Sequence, residues 1–500
     1  MPELSLSLVS HTNVGKTALA RTLLGRDIGE VRDAAHVTEF ADAHLLVESP
    51  AGDRLQLWDT PGFGDSVRLA RRMRQQGQPL GWLLSEVWDR WRDRPFWASQ
   101  QALRHVRDDA SVVLYLVNAA ESPAAAGYVA PEMELLGWVG KPVIVLLNQL
   151  GAARSPAEEA ADVAAWRAHL SAFALVKAVL PMDAFARCWV QEGVLLHHIE
   201  TVLDGEPAAA MDRLRAAWAT QRLATFDAAI QALADSLGRI AAARVTVAQG
   251  GGLRGRLRQV GTALGLPGGA SEVANESVRS ADPQALAQQA LATALAAEAR
   301  ASTTQLIAQH GLDGQAQAQI QALLAQPFEH RQKVPEGKAA VLGGAVTGAL
   351  TGLKADILSG GLTLGGGLLA GGLIGALGAA TLARGVNVVR GTGSSWVAWN
   401  AEAMTALVEA ALMRYLAVAH FGRGRGAWAA GEPPAHWQAA VHDALVAHLD
   451  DQRALWRGRS TRHDTPDDAH ALAHALQPLL HSAARSALER LYPGAWPEGR

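Results

Sequence analysis

Eight consecutive residues near the N-terminus have the types and order needed to hold a phosphate group. They directly follow the apolar run 4–9 and read Ser10-His11-Thr12-Asn13-Val14-Gly15-Lys16-Thr17. A tight loop between a strand and a helix points backbone N–H groups inward, and the helix N-terminus adds a favourable dipole. We expect Lys16 to reach the outer phosphates, Thr17 to offer its hydroxyl to Mg²⁺, and Gly15 to permit close backbone approach. This is the Walker A pattern with Ser10 in place of its first glycine. Further predicted nucleotide contacts are Asn13, Val14 and Ala18.

A second motif follows the apolar run 55–58 and reads Asp59-Thr60-Pro61-Gly62. An aspartate at the end of a strand beside a Walker A loop is placed to hold Mg²⁺. We expect Asp59 to do so, and we expect the backbone N–H of Gly62 to contact the terminal phosphate. The two motifs together predict a nucleoside triphosphate site at one edge of a parallel sheet.

With these motifs the chain resembles the translation-factor-related GTPases, particularly the Era/TrmE-like group that shares the Asp-Thr-Pro-Gly form. The resemblance covers the first ~200 residues and implies GTP or GDP with Mg²⁺ as cofactors. It implies that Lys16, Thr38 and Gly62 act in catalysis, with Mg²⁺ held by Thr17, Thr38 and Asp59. Thr38 stands at the switch I position. Phe63 replaces the water-orienting glutamine of the Ras type, so the resemblance implies a slow GTPase.

The base-specificity motif departs from this family. Where the family has Asn-Lys-x-Asp, the chain has Asn148-Gln149-Leu150-Gly151. We expect Asn148 and Gln149 to lie at the base, but the carboxylate that would accept from the guanine N–H groups is missing, which should weaken guanine selectivity. A positional candidate for the fifth motif is Asp183-Ala184-Phe185.

The elements that must position these residues read as an α/β P-loop NTPase domain with a mostly parallel, doubly wound sheet. Apolar runs suited to strands recur between helix-sized segments, at 4–9, 43–48, 55–58, 111–117, 143–147 and 175–180. That alternation favours right-handed crossovers. We expect a helix from about Asp183. Beyond it, the pattern predicts a mostly α-helical region, from Ala208 to Val247, over 281–328 and over 396–500. We place the domains at 1–204, 205–335, 336–392 and 393–500.

A glycine-rich stretch interrupts the helical region. Residues 339–353 and 357–383 are uncharged, and glycine recurs at every fourth position in parts of both. Such spacing lets two helices approach closely, as in membrane-embedded pairs, and a bilayer crossing needs ~20 residues. Flanking cations favour a hairpin in the inner membrane with both ends cytoplasmic. The alternative is a tightly packed soluble helical hairpin.

Bulk composition narrows the function further. The formal net charge is -3, which argues against a nucleic-acid partner, and the single Cys188 fits a reducing cytosol and excludes an internal disulfide. The N-terminus lacks the features of a secretion signal. Tryptophans and arginines are interleaved over 65–107. This pattern can indicate nucleic-acid contact, but we expect the segment to pack against the C-terminal region.

Three functions remain open. The first is a slow GTPase switch at the cytoplasmic membrane face, with an unidentified protein partner or a second copy of the chain to assist hydrolysis. The second is a ribosome- or tRNA-associated assembly factor, supported by Arg254, Arg256 and Arg258. The third is a nucleotide-binding scaffold with little hydrolysis.

Overall fold

A computed structural model describes much of the chain. The described residues are 2–26, 28, 42–79, 81–82, 94–150, 155–247, 283–312, 386–390, 395–421, 435–458 and 466–497. Thr38, the glycine-rich stretch 339–383 and the arginines at 254–258 lie outside these residues. What the sequence predicts for them therefore stays a prediction.

The N-terminal part of the chain forms a six-stranded sheet in the order β2-β3-β1-β4-β5-β6, in which only β2 and β3 pair antiparallel. The strands are β1 (Glu3–Ser10), β2 (Asp42–Glu48), β3 (Arg54–Asp59), β4 (Val112–Asn118), β5 (Val143–Asn148) and β6 (Val176–Pro181). The helices between them are α1 (Lys16–Leu24), α2 (Ser66–Arg74), α3 (Arg94–Asp108), α4 (Val129–Val139) and α5 (Pro156–Leu170). The predicted doubly wound, mostly parallel sheet is confirmed.

Both faces of this sheet are covered, which explains why its central strands are continuous apolar runs. Side chains alternate along β1, so Leu6 and Leu8 enter one apolar cluster while Val9 enters another. The second cluster is built with α2 to α5. The first also contains Leu214, Leu407 and other residues of the helical region. One face of the sheet and the helical region therefore share a single hydrophobic core.

The helical region contains seven described helices, within the ranges given above. They are α6 (Trp189–Thr201), α7 (Gly205–Ala242), α8 (Pro283–Gln309), α9 (Ala401–Ala419), α10 (Ala435–Val446), α11 (Leu449–Gly458) and α12 (Pro466–Leu491). The apolar stripe predicted for α7 faces the core, where Trp218 and Phe226 are buried. Close to its end α7 approaches α12 so tightly that a Cβ atom on Gly238 would lie 2.4 Å from the carbonyl oxygen of Ala469.

Two helix boundaries predicted from the sequence are wrong. The chain leaves the helix after Ala242 and forms a three-stranded antiparallel sheet, ordered β7 (Val245–Val247), β9 (Ser395–Trp399) and β8 (Val386–Arg390). These strands form by pairing with distant parts of the chain, which local helical periodicity cannot reveal. The helix expected from Asp183 begins only at Trp189, because long-range hydrogen bonds hold residues 182–188 as a loop.

The segment that follows Gly62 also packs differently from the prediction. Phe96 is buried in the second apolar cluster, with Leu69 and Leu103, inside the N-terminal domain. The guanidinium of Arg68 lies 4.2 Å from the Phe96 ring centroid. Packing of Phe96 against the C-terminal region was therefore a wrong expectation. Trp88 and Trp91 lie outside the described residues.

Across the described ranges, every helix is too short or too polar for a bilayer crossing. The glycine-rich stretch 339–383 lies outside these ranges, so the hairpin stays a prediction.

Candidate nucleotide site

The loop between β1 and α1 has the backbone needed to surround a phosphate. Asn13 and Gly15 adopt left-handed conformations, with φ of 65° and 93°. Gly15 is required twice over, because a Cβ atom there would also lie 2.8 Å from Nδ2 of Asn148. Helix α1 begins directly after this turn, at Lys16. The loop therefore ends at a helix N-terminus, where the N–H groups are unpaired by the helix itself.

Three polar side chains predicted for the phosphates and Mg²⁺ lie together at this turn. The buried ammonium of Lys16 donates to Oγ of Ser10 at 3.1 Å. Oγ1 of Thr17 donates to Oδ2 of Asp59 at 2.5 Å. Burial lowers the pKa of Lys16 and raises the pKa of Asp59, and the attraction between the two opposes both shifts. Ser10 thus contributes a hydroxyl where the usual motif has a glycine.

The Asp-Thr-Pro-Gly stretch runs along the phosphate loop. The amide of Phe63 donates to the carbonyl of Ser10 at 2.9 Å, and the amide of Thr12 donates to the carbonyl of Phe63 at 3.3 Å. Between these bonds, a Cβ atom on Gly62 would lie 3.0 Å from Nζ of Lys16 and 3.1 Å from Cα of Thr12. Only glycine fits at position 62 without displacing the phosphate loop or its lysine.

These residues fit a magnesium-bound nucleotide. A hydroxyl paired with a carboxylate is a hard oxygen donor set of the kind Mg²⁺ takes, and Thr17 and Asp59 supply it. Lys16 would hold phosphate oxygens. The absence of a side chain at Gly62 lets its backbone lie close to the Lys16 ammonium, and so close to those oxygens. When bound, the metal neutralises negative charge on the transferred phosphoryl group.

Phe63 cannot orient a water molecule in this structure. Its ring is fully buried in the second apolar cluster, with Val9 and Leu69, and its backbone is tied to the phosphate loop. A phenyl ring also has no hydrogen-bonding group. The residue thus fixes the loop by packing rather than serving as a polar catalyst.

Asn148 joins the phosphate loop to the loop after β6. Its Nδ2 donates to the carbonyl of Val14 at 2.7 Å, and its Oδ1 accepts from the amide of Ala184 at 2.8 Å. Gln149 has a φ of 58°, and its Nε2 donates to the carbonyl of Asn13 at 3.4 Å. The strand ends thereby bring the predicted base residues beside the phosphate loop.

Sequence reasoning missed a buried group on α4 that contacts the same loop. Nδ1 of His11 lies 2.8 Å from Oε1 of Glu132, and the hydroxyl of Tyr115 donates to Oε2 at 2.6 Å. The ring of His11 also stacks on Tyr128. Burial raises the pKa of Glu132, and the contacts with His11 and Tyr115 oppose that shift. Nothing in the local sequence marks Glu132, since it is one acidic residue in an otherwise ordinary helix.

The structure thus assembles nearly the whole predicted set at one edge of the sheet. Ala18 is buried in the first turn of α1. The residues brought together are Asn13, Val14, Gly15, Lys16, Thr17, Ala18, Asp59, Gly62, Asn148 and Gln149. Thr38 lies outside the described residues. Cys188, by contrast, is buried, and burial raises the pKa of its thiol to about 12.

Comparison with known proteins gives two family matches and several similar folds. Residues 5–149 match the family described as 50S ribosome-binding GTPase, and residues 167–480 match the family described as Domain of unknown function (DUF3482). No curated protein matches the chain. The first match confirms a GTP-binding P-loop GTPase domain. Its nucleotide would be GTP or GDP, and the residues around Lys16 and Thr17 fit Mg²⁺ beside it.

Among solved structures, Era in complex with MgGDPNP and a segment of 16S ribosomal RNA aligns at 16% identity with a TM-score of 0.30, covering 41% of this chain and 59% of that one. A variant of Aquifex aeolicus Era bound to GDP and aluminium fluoride aligns at 16% identity with a TM-score of 0.30, covering 45% and 68%. The bacterial selenocysteine-specific elongation factor EF-Sec aligns at 15% with a TM-score of 0.27, covering 40% and 29%. This chain therefore spans less than two thirds of the first structure.

The family match at the N-terminus and the geometry around Lys16 both indicate a P-loop nucleotide site. The second family match covers more than half of the chain. The chain is a P-loop GTPase domain followed by a mainly helical region, and it belongs to the family described as Domain of unknown function (DUF3482).

Proposed function

We propose that this chain is a slow GTPase switch whose nucleotide state is passed to the helical region through residues 182–188, named here the β6–α6 loop. The observation that carries this proposal is that the loop is hydrogen-bonded to the nucleotide site on one side and to α9 on the other. A switch needs an element that contacts both its ligand site and its output region.

On the nucleotide side, Ala184 occupies the centre of the contacts. Its amide donates to Asn148, which braces the phosphate loop, and its carbonyl accepts from Oγ1 of Thr22 at 2.7 Å. Thr22 belongs to α1, the helix that starts at the phosphate loop. A shift of either α1 or Asn148 therefore acts on the same residue of the β6–α6 loop.

On the helical side, the backbone continues the connection. The amide of Arg187 donates to the carbonyl of His420 at 3.0 Å, and Ala186 forms an isolated antiparallel bridge with Phe421. Nη2 of Arg187 donates to the carbonyl of Thr22 at 2.9 Å. Arg187 thus holds the C-terminal ends of α1 and α9 at once.

A buried charge group fixes this junction. The carboxylate of Glu192 contacts the guanidinium of Arg187 and accepts from Nη2 of Arg222 at 2.9 Å and Nε1 of Trp218 at 3.1 Å. Burial, together with the nearby charge of Arg222, lowers the pKa of Arg187 to about 9. Two cations around one carboxylate tie α6, α7 and the β6–α6 loop together, so a shift of the loop would be passed to both helices.

Slow hydrolysis follows from position 63. A Ras-type protein with its glutamine hydrolyses GTP at roughly 10⁻⁴ s⁻¹ without a partner. The buried Phe63 offers no equivalent group, so we expect a single-turnover rate of that order or lower. A protein partner or a second copy of the chain would then be needed to end the GTP state.

Hydrogen–deuterium exchange on the full chain tests the switch. We expect exchange at residues 182–188 and 415–421 to differ between the GDP-bound and GTP-analogue-bound forms. Thr22→Val removes the hydroxyl that bonds Ala184 while keeping the side-chain shape, so it should reduce the difference at 415–421 but leave nucleotide binding in place.

The matched control is Lys16→Ala, which removes the phosphate-binding cation and should abolish every nucleotide-dependent change. If the GDP and GTP-analogue forms differ only within residues 1–150, the helical region does not read the nucleotide. The chain would then be a nucleotide-binding scaffold.

We propose that the protein acts at the cytoplasmic face of the inner membrane. This proposal is based only on the uncharged, glycine-rich sequence of residues 339–383. Deletion of 339–383 should move the protein from the membrane fraction to the supernatant after cell lysis. The same distribution with and without this segment would refute the membrane proposal and leave the switch proposal untouched.

A second candidate function is ribosome association, favoured by the ribosome-binding GTPase family that residues 5–149 match and by the positive charge of α2. Helix α2 has exposed arginines on the surface next to the Gly62 motif, at Arg68, Arg71, Arg72 and Arg74. Sedimentation of the protein with 50S subunits in GTP analogue, and its loss on Arg71→Glu, would favour this function. Equal sedimentation of the two proteins would count against it.

A further inference from the structure

The base site lacks a carboxylate in the expected position, although the domain is a GTPase. Guanine presents two hydrogen-bond donors side by side, N1–H and the 2-amino group, and a carboxylate pairs with both. The family places that carboxylate where this chain has Gly151. Asn148 does not replace it, because its amide already bonds Val14 and Ala184.

Asp183 brings a carboxylate to the base motif from the neighbouring strand. It follows β6 at the start of the β6–α6 loop, and only 5% of its surface is exposed. Its Oδ2 accepts from the amide of Leu150 at 2.6 Å, and its Oδ1 accepts from the amide of Phe185 at 2.7 Å. Leu150 is the third residue of the base motif, so the Asp183 carboxylate lies directly against that motif.

The environment of Asp183 holds no compensating cation. Among the residues that the structure describes, no Lys, Arg or His forms an ion pair with it, and its bonds are to the backbone amides of Leu150, Phe185 and Ala186. Burial raises the pKa of this carboxyl. A buried carboxylate without a cation is costly, and an ionised carboxylate offers about four acceptor positions. The three amides do not fill these positions, so N–H donors from a ligand, sharing the carboxylate with the amides, would offset part of the cost of burial.

We propose that Asp183 is the carboxylate that selects guanine in this chain, in place of the aspartate missing at position 151. This rests on the GTP-binding function given above. Asp183 accepts from N1–H and from the 2-amino group of the base. Adenine presents an acceptor and a C–H at that edge, so it leaves the carboxylate unpaired. Xanthine presents a C2 carbonyl, which a carboxylate repels.

Calorimetric titration of the full chain with GDP, XDP and ADP in Mg²⁺ tests this assignment. The wild-type protein should bind GDP and exclude XDP. In Asp183→Asn the amide N–H₂ donates to the C2 carbonyl of xanthine, so GDP should bind about 10- to 100-fold more weakly and XDP should bind more tightly than in wild type. A residue with a merely structural role would weaken both nucleotides alike.

Two further variants make the test decisive. Asp183→Ser removes the carboxylate and should lose guanine preference without gaining XDP binding. Adding Gly151→Asp, the family's residue in the base motif, should restore GDP binding. The matched control Asp53→Asn changes another buried aspartate, far along the chain from the base motif, and should leave base preference unaltered.

The outcomes separate the two proposals. If wild type binds no nucleotide, the GTP-dependent function itself fails. If wild type binds GDP, but Asp183→Asn and Asp183→Ser keep full guanine preference and still exclude XDP, then GTP binding stands and the role of Asp183 is refuted.

Discussion

Phe63 stands at the position where Ras-type GTPases have a glutamine that orients water. Analogy with those proteins and the structure of this chain predict opposite effects for the substitution Phe63→Gln. By analogy, Phe63→Gln should speed hydrolysis. The structure predicts the opposite, because the side chain at position 63 points into an apolar cluster with Val9 and Leu69. The new amide would enter that cluster rather than approach a phosphate.

The loss of stability can be estimated from the burial of the ring. Removing a fully buried Phe side chain from its apolar surroundings costs about 1.5–3 kcal/mol. Leaving a buried amide without partners costs about 1–3 kcal/mol more. We therefore expect Phe63→Gln to destabilise the N-terminal domain by about 2.5–6 kcal/mol. Phe63→Leu keeps the site apolar and should cost about 1–2 kcal/mol.

Scanning calorimetry of the full chain with and without GDP measures this effect. A multidomain chain does not unfold in one step, so the transition that GDP raises is taken as the N-terminal domain. Single-turnover hydrolysis is followed in parallel, and Phe63→Gln should be no faster than wild type. If Phe63→Gln keeps wild-type stability and hydrolyses GTP about tenfold faster, which is about 1.4 kcal/mol in the barrier, the side chain reaches the phosphate and the reasoning is wrong.

Three further predictions concern the packing of the helical region. Hydrogen bonds from Arg213 lower the pKa of Asp53 from 3.8 to about 2, so this contact stabilises the fold above pH ~4 and loses that effect as the pH falls toward 2. The free energies of unfolding of wild type and Arg213→Ala, measured against pH, should therefore converge across that range. A constant difference between the two proteins would contradict this prediction. Glu192→Ala leaves two buried guanidinium groups without their carboxylate and should cost about 3–5 kcal/mol in denaturant unfolding, whereas a loss below ~1 kcal/mol would show the charge group to be unimportant. Gly238→Ala places a Cβ atom 2.4 Å from a backbone oxygen and should lower the free energy of unfolding by about 1–3 kcal/mol. The control Gly137→Ala has open space around it and should be neutral or stabilising by up to ~1 kcal/mol.

The phosphate side of the site could be read almost completely from the sequence. Ser10 to Thr17 are contiguous, and the apolar strand before them fixes where the loop lies, so residue type and spacing alone define the geometry. The same holds for Asp59 and Gly62 at the end of the next strand. The predicted contacts with GTP and Mg²⁺ rest on this local regularity, although Thr38 lies outside the described residues.

The remaining features depended on contacts between distant segments. Local pattern gave no reason to expect the β7-β9-β8 sheet, since each strand is only three to five residues long and gains its hydrogen bonds from the others. Glu132 was likewise hidden, because its partners His11 and Tyr115 come from the phosphate loop and β4. Such groups acquire their role only when the sheet brings them together.

The sequence by itself determined that this protein holds a nucleotide through a P-loop, because eight adjacent residues carry the phosphate-binding chemistry. Only the tertiary structure decided that Phe63 is a core residue, that Asp183 lies against the base motif, and that Arg187 joins α1 to α9. Burial and long-range hydrogen bonds depend on which distant segments meet, and spacing along one stretch of chain does not specify that.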